Sequence, residues 1–136
     1  MPKTLQISDY MQRDPFTLTP IMGLRQAIDG LLDHKLSSAP VVEQGRLVGM
    51  FSESDGLKGA LDAGYHGADP GRVADYMSRE LHTLSSLATV QEAAELFLRH
   101  HRRCLPVVSG ERLIGQLNRN DILRAAMASA EPSLPS

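Results

Sequence analysis

"PVVEQGRLVGMFSESD" runs from Pro40 to Asp55, and "PVVSGERLIGQLNRND" runs from Pro106 to Asp121. The two stretches share Pro-Val-Val, an Arg-Leu pair, a glycine and a closing aspartate, all displaced by the same 66 positions. In each, a short β-branched run enters at a proline, which need not donate a ladder bond. A glycine-bearing turn follows, Glu43-Gln44-Gly45 in one and Ser109-Gly110-Glu111 in the other, and then a second run over 46–51 or 112–117. That pattern predicts a β-hairpin in each copy. Both hairpins lead to a closing aspartate, and no base within "GMFSESD" balances the first, Asp55.

The duplication extends outward without a gap. Asp9-Tyr10-Met11 returns as Asp75-Tyr76-Met77, and Thr17-Leu18 returns as Thr83-Leu84. Leu24, Ala27, Ile28, Leu31 and Leu32 fall at helical spacing, as do Val90, Ala93, Ala94, Phe97 and Leu98, which predicts one buried helical face per copy. Thr89 and Glu92 have capping-box spacing and mark the start of the second of these helices; Gly23 takes the matching place in the first. Beyond the aspartates, Leu57, Ala60 and Leu61, and then Ile122, Leu123, Ala126 and Met127, recur at helical intervals. The expected order is short strand, helix, strand, strand, helix, stated twice, which makes an α+β fold. The expected boundaries are a first repeat with its lead-in over 1–62, a linker over 63–72, a second repeat over 73–127 and a flexible tail over 128–136. The linker "AGYHGADPGR" is rich in Gly and Pro and places His66 in an exposed loop, while the tail "ASAEPSLPS" offers little to bury.

The bulk numbers narrow the function. With 136 residues, 42% hydrophobic and 22% charged, the chain suits a single soluble unit and carries no apolar run long enough for a membrane span. The opening "MPKTLQISDYMQ" lacks the basic and apolar segments of an export signal, so the expected location is cytoplasmic. A net charge of −2 gives no general attraction to polyanions, and three Phe, three Tyr and no Trp leave little for base-stacking platforms. Nucleic acid is an unlikely partner on these grounds. Cys104 is the only cysteine, which excludes an intrachain disulfide and any multi-cysteine metal site; it reads most simply as a small buried apolar residue.

The "DYM" lead-in, the Thr-Leu strand, the helix, "PVV", the "LVG" or "LIG" strand and the closing aspartate together resemble the CBS domain. Two in register resemble a Bateman module, and the resemblance covers about Ile7 to Met127. It implies two α+β repeats packed about a pseudo-twofold axis with clefts between them, a homodimer, and an adenosyl ligand such as AMP, ADP, ATP or S-adenosylmethionine. The resemblance gives Asp55 and Asp121 the ribose hydroxyls; an ionised carboxylate is acceptor-only and suits a vicinal diol without a catalytic partner. Ser52 and Asn118 would face sugar or phosphate, with Asn118 departing from the family's Ser/Thr. Thr17, Ser38, Ala39, Thr83, Cys104 and Leu105 would line the base pocket.

Within "RHHRRC", Arg102 and Arg103 are candidate phosphate clamps by guanidinium geometry, against a plainer role complementing a helix C-terminus. His100 and His101 are adjacent and diverge on a helix, which argues against a shared metal. The aspartates, with Ser52 and Asn118, have a plainer reading too: as N-terminal caps of the helices that follow them. The two roles are compatible. No nucleophile beside a base and no phosphate-loop signature occurs, so the expected function is regulatory rather than enzymatic. Ligand sensing with no required cofactor leads, and a ligand-independent dimerisation or scaffold module acting on an unidentified protein partner is the alternative.

Overall fold

The structure, a computed structural model, describes residues 6–66 and 71–130. Contacts gather the chain into two compact units. The first is Pro15–Leu81; the second joins residues 6–14 to those from His82 onward.

In the first unit, helix α1 (Leu24–His34) starts at Gly23, as its sequence predicts, and ends where Lys35 takes a left-handed conformation with φ 55°. The Leu36 amide reaches back to the Leu31 carbonyl at 2.9 Å and closes the last turn. Strands β2 (Ser38–Glu43) and β3 (Arg46–Ser52) form the expected antiparallel hairpin. β2 begins two residues earlier than the proline signal suggests. Pro40 is tolerated inside it because residues 40 and 42 direct their polar groups to the edge where only Leu18 pairs: the Leu18 amide donates to the Pro40 carbonyl and the Val42 amide to that of Leu18. Helix α2 spans Glu53–His66, so His66 ends a helix instead of lying in a loop. Gly64 weakens a helix without breaking it. Residues 67–70 of the expected linker lie outside the described residues. A short helix α3 (Val73–Tyr76) follows.

The second unit repeats the plan. Strand β4 (Leu84–Ser85) runs parallel to β5 (Cys104–Ser109), which pairs antiparallel with β6 (Arg112–Asn118). Helix α4 (Val90–His100) is capped by Thr89, whose hydroxyl oxygen accepts from the Glu92 amide at 3.2 Å, as expected. Helix α5 (Arg119–Ala130) extends past the predicted tail boundary; residues 131–136 lie outside the described residues. A two-residue strand β1 (Gln12–Arg13), absent from the sequence reading, adds to β6.

The lead-ins cross over. The Ile7 amide bonds the Ala88 carbonyl in the second copy, and the Val73 amide bonds the Met22 carbonyl in the first. Ile7 sits in the core with Leu84, Phe97, Leu105 and Leu117, while Val73 and Met77 sit with Leu18, Leu24 and Phe51. The strand glycines explain how the lead-ins seat. A Cβ at Gly49 would lie 2.6 Å from the sulfur of Met77 and 3.0 Å from the Ser78 carbonyl, and one at Gly115 would meet Met11 and Gln12 at the same two distances. Only glycine admits that approach. The packing thus pairs each lead-in with the other copy of the repeat.

The helical faces are narrower than the periodicity suggests. Leu32 and Leu98, counted on the buried faces, are 69% and 75% exposed. On α1, the buried contacts are Leu24, Ala27 and Leu31; at about 100° per residue, Leu32 falls roughly a quarter-turn beyond their mean direction.

Candidate functional site

Alternation along the strands sorts the candidate residues onto two faces. Directly paired residues in an antiparallel ladder project to the same side, and neighbours in sequence project to opposite sides. In the first unit Ser38 opposes Ser52 and Pro40 opposes Met50, whereas Ala39 opposes Phe51 on the core side. In the second, Cys104 opposes Asn118 and Pro106 opposes Gln116, whereas Leu105 opposes Leu117 in the core. Leu18 and Leu84 are core residues, so alternation turns the preceding Thr17 and Thr83, both half-buried, toward the non-core faces.

The non-core face therefore brings together Thr17, Ser38 and Ser52 in one unit and Thr83, Cys104 and Asn118 in the other. Ala39 and Leu105 project away from these groups, at 0% and 1% exposure. A two-residue window ahead of the proline straddles both faces of a strand, so one member of each pair had to point inward.

At the end of each non-core face stands the motif acid. Asp55 Oδ2 accepts from the Ser52 amide at 2.8 Å while the Ser52 hydroxyl oxygen accepts from the Asp55 amide at 3.2 Å. Asp121 Oδ2 accepts from the Asn118 amide at 2.9 Å, and Asn118 Oδ1 accepts from the Asp121 amide at 2.8 Å. These are reciprocal capping boxes at the starts of α2 and α5. Each uses one carboxylate oxygen. The Ser52 hydroxyl hydrogen and the Asn118 side-chain NH2 remain available as donors.

The second oxygens differ. Asp55 is half-buried, and its Oδ1 has no hydrogen-bond partner among the described residues. Asp121 is buried, and its Oδ1 accepts from the Arg124 guanidinium at 2.5 Å. Position 58, equivalent to Arg124, is an exposed lysine. An aspartate followed three residues later by arginine on a helix was a readable signal for this pair.

Arg102 and Arg103 lie in the loop that precedes β5. One backbone bond and one side-chain bond fasten that loop to the start of α5: the Arg103 carbonyl accepts from the Arg119 amide at 3.1 Å and the Arg102 carbonyl from Arg119 Nε at 3.2 Å. The first unit has the same tie, from the Glu53 amide to the Ser37 carbonyl at 2.9 Å. Both arginines are thereby carried next to the second motif. A separate depression of about 620 Å³ runs along α1 past Phe16, Arg25, Asp29 and His34, and contains none of the candidate residues. Among the described residues no three potential metal ligands cluster, and no helix is long and apolar enough to cross a membrane.

Two copies of one hairpin-and-helix design, each presenting a capped acid beyond a non-core sheet face, define a tandem-repeat module. The chain belongs to the CBS-domain family, whose model matches residues 7–62 and 73–128. It is 29% identical over 116 residues to the CBS domain-containing protein YhcV of Bacillus subtilis, covering 85% of this chain and 81% of that protein. It is 30% identical over 128 residues to the A-adding tRNA nucleotidyltransferase of Aquifex aeolicus, covering 93% of this chain but only 15% of that enzyme. The crystal structure of CBSX2 in complex with AMP matches with a TM-score of 0.80 and 27% identity, over 91% of this chain and 97% of that one.

Proposed function

We propose that this chain is a regulatory ligand-sensing module that binds an adenine nucleotide or another adenosyl compound, with Asp55 and Asp121 gripping the ribose. The observation that carries this reading is the unpartnered Oδ1 of Asp55, left over after Oδ2 has satisfied the helix cap. A cap needs one oxygen; a vicinal diol needs the rest. Ser52, Ser38 and Thr17 lie on the adjoining face, and the AMP complex of CBSX2 supports the ligand class. Arg102 and Arg103 supply cations for phosphate beside the second motif.

A homodimer accompanies this reading. The large exposed apolar side chains among the described residues are Ile21, Leu32, Leu57, Leu61, Leu87, Leu98, Leu123 and Met127. They form four repeat-equivalent pairs, each separated by 66 positions. Burying apolar surface drives association, and the i, i+4 pairs 57/61 and 123/127 make a stripe on α2 and on α5. Replacing Leu57 and Leu61 together by Glu is expected to convert a dimer to a monomer in sedimentation velocity. A cytoplasmic regulator of a separate protein, itself without catalysis, is the role that fits such a module.

The reciprocal capping boxes favour a second reading, a ligand-independent scaffold in which both acids only cap helices. Asp55→Asn and Asp121→Asn separate the two, because asparagine keeps an oxygen for the cap and loses the charged acceptor. Titration calorimetry with AMP, ADP, ATP and S-adenosylmethionine should show binding by the native chain and a loss of about tenfold to a hundredfold in each variant. The native melting temperature should rise with ligand, by about 2.7 kcal/mol of stability at a hundred times Kd. No binding of any of the four, with unchanged melting, would establish the scaffold.

A further inference from the structure

The Gln116 side chain is 5% exposed, and its Oε1 has no hydrogen-bond partner among the described residues. A buried acceptor left without a donor is a standing cost to the fold and calls for a reason. The residue interrupts an otherwise apolar strand, "LIGQL", and the equivalent position in the first repeat is Met50. Packing alone is therefore satisfied by a thioether at that place.

Gln116 shares the non-core face of β6 with Asn118, two residues on, and stands opposite Pro106, one alternate step along β5 from Cys104. Two residues of strand advance about 7 Å along that face. A ribose held by Asp121 beyond Asn118 would lay its base back along β6, at the level of Gln116. A glutamine amide carries an acceptor and a donor side by side, the complement of the adenine edge that carries the 6-amino group and N7.

We infer that Gln116 is a specificity-determining residue at the second motif: its Oε1 accepts from the 6-amino group of adenine while its Nε2 donates to N7. The inference rests on the adenosyl reading above and adds a base preference to it. A 6-oxo purine presents an acceptor where Oε1 needs a donor, so the amide loses one bond and faces a lone pair. With Met50 at the matching place, the first motif holds its base by packing alone and distinguishes the two purines less.

The test is calorimetric titration of AMP and IMP into the full chain carrying Asp55→Asn, which weakens the first motif, with and without Gln116→Met, so that the change between the two chains reports the second motif. AMP is expected to bind about 10- to 100-fold more tightly than IMP. Gln116→Met should reduce that ratio to near one. Gln116→Leu serves as a second apolar variant, and a cooperative thermal melt confirms that each variant is folded. The Asp121→Asn chain, reporting the first motif, should show the smaller AMP preference from the outset. An AMP-to-IMP ratio unchanged by Gln116→Met, or no AMP binding at all with Asp55→Asn while the native chain binds AMP, overturns the inference and leaves the adenosyl reading standing. Failure of the native chain to bind AMP, ADP, ATP or S-adenosylmethionine overturns both.

Discussion

The first repeat leaves its motif acid half open, whereas the second closes its acid with an arginine. Asp55 has an unshared oxygen beside an exposed Lys58; Asp121 is buried and held by Arg124. Ser52 with Met50 in one copy becomes Asn118 with Gln116 in the other. The same reciprocal caps and the same glycine seat for a lead-in methionine recur beneath them. Duplication preserved what folding needs and let the side chains on the non-core strand faces diverge. A module built this way can offer two sites of unequal affinity on one scaffold.

The largest expected effect tests how alike the scaffolds are. Phe51 is the largest of the fully buried side chains, and Leu117 is its repeat-equivalent in the other core. Phe51→Ala should cost about 3–5 kcal/mol and Leu117→Ala about 2–5 kcal/mol in urea melts. If only one of these proves severe, the two cores do not contribute equally to stability.

A medium effect tests the acids. A ligand at the second motif must share or displace the Arg124 bond, so it should bind about tenfold more weakly there than at the first. Exchanging the partners with Lys58→Arg and Arg124→Lys should reverse the order in calorimetry, with Asp55→Asn and Asp121→Asn weakening one motif at a time to assign the two affinities. An unchanged order would move the cause from the arginine to Asn118.

The smallest concerns ring stacking. Phe16 lies over His34 with centroids 4.0 Å apart, and its repeat-equivalent pair is His82 over His100 at 3.7 Å. His82→Phe, which gives the second repeat the first one's ring pair, should change stability by less than about 1 kcal/mol. A larger change by thermal melting would show that the rings hold more than each other. The Phe16 stack has its own local cause: a Cβ at Gly30 would lie 2.6 Å from the Phe16 ring, while Leu96 occupies that position in the other copy.

Much of this was legible in the chain itself. The 66-residue repeat, both hairpins, the caps at Gly23 and Thr89 and the helix, strand, strand, helix order of each copy were present in the spacing of apolar residues and in the turn chemistry, while the expected Thr17-Leu18 strand is reduced to a single bridge from Leu18 to Val41. Those signals are local, set by strand alternation, helical period and backbone requirements within a few residues. Tertiary structure decided the rest. Two copies of one pattern, each with a glycine at the matching strand position, offer chemically similar seats, so no short-range pattern tells whether Met11 belongs on Gly115 or on Gly49. Leu32 and Leu98 carry the right period for a buried face, yet what covers a helix depends on where its neighbours stop. Which of Ser38 and Ala39 turns away from the core was settled by pairing with β3, as it was for Cys104 and Leu105 by pairing with β6. The closed state of Asp121 and the orphaned acceptor of Gln116 are likewise properties of packing, because partnership and burial arise only when segments distant in sequence meet.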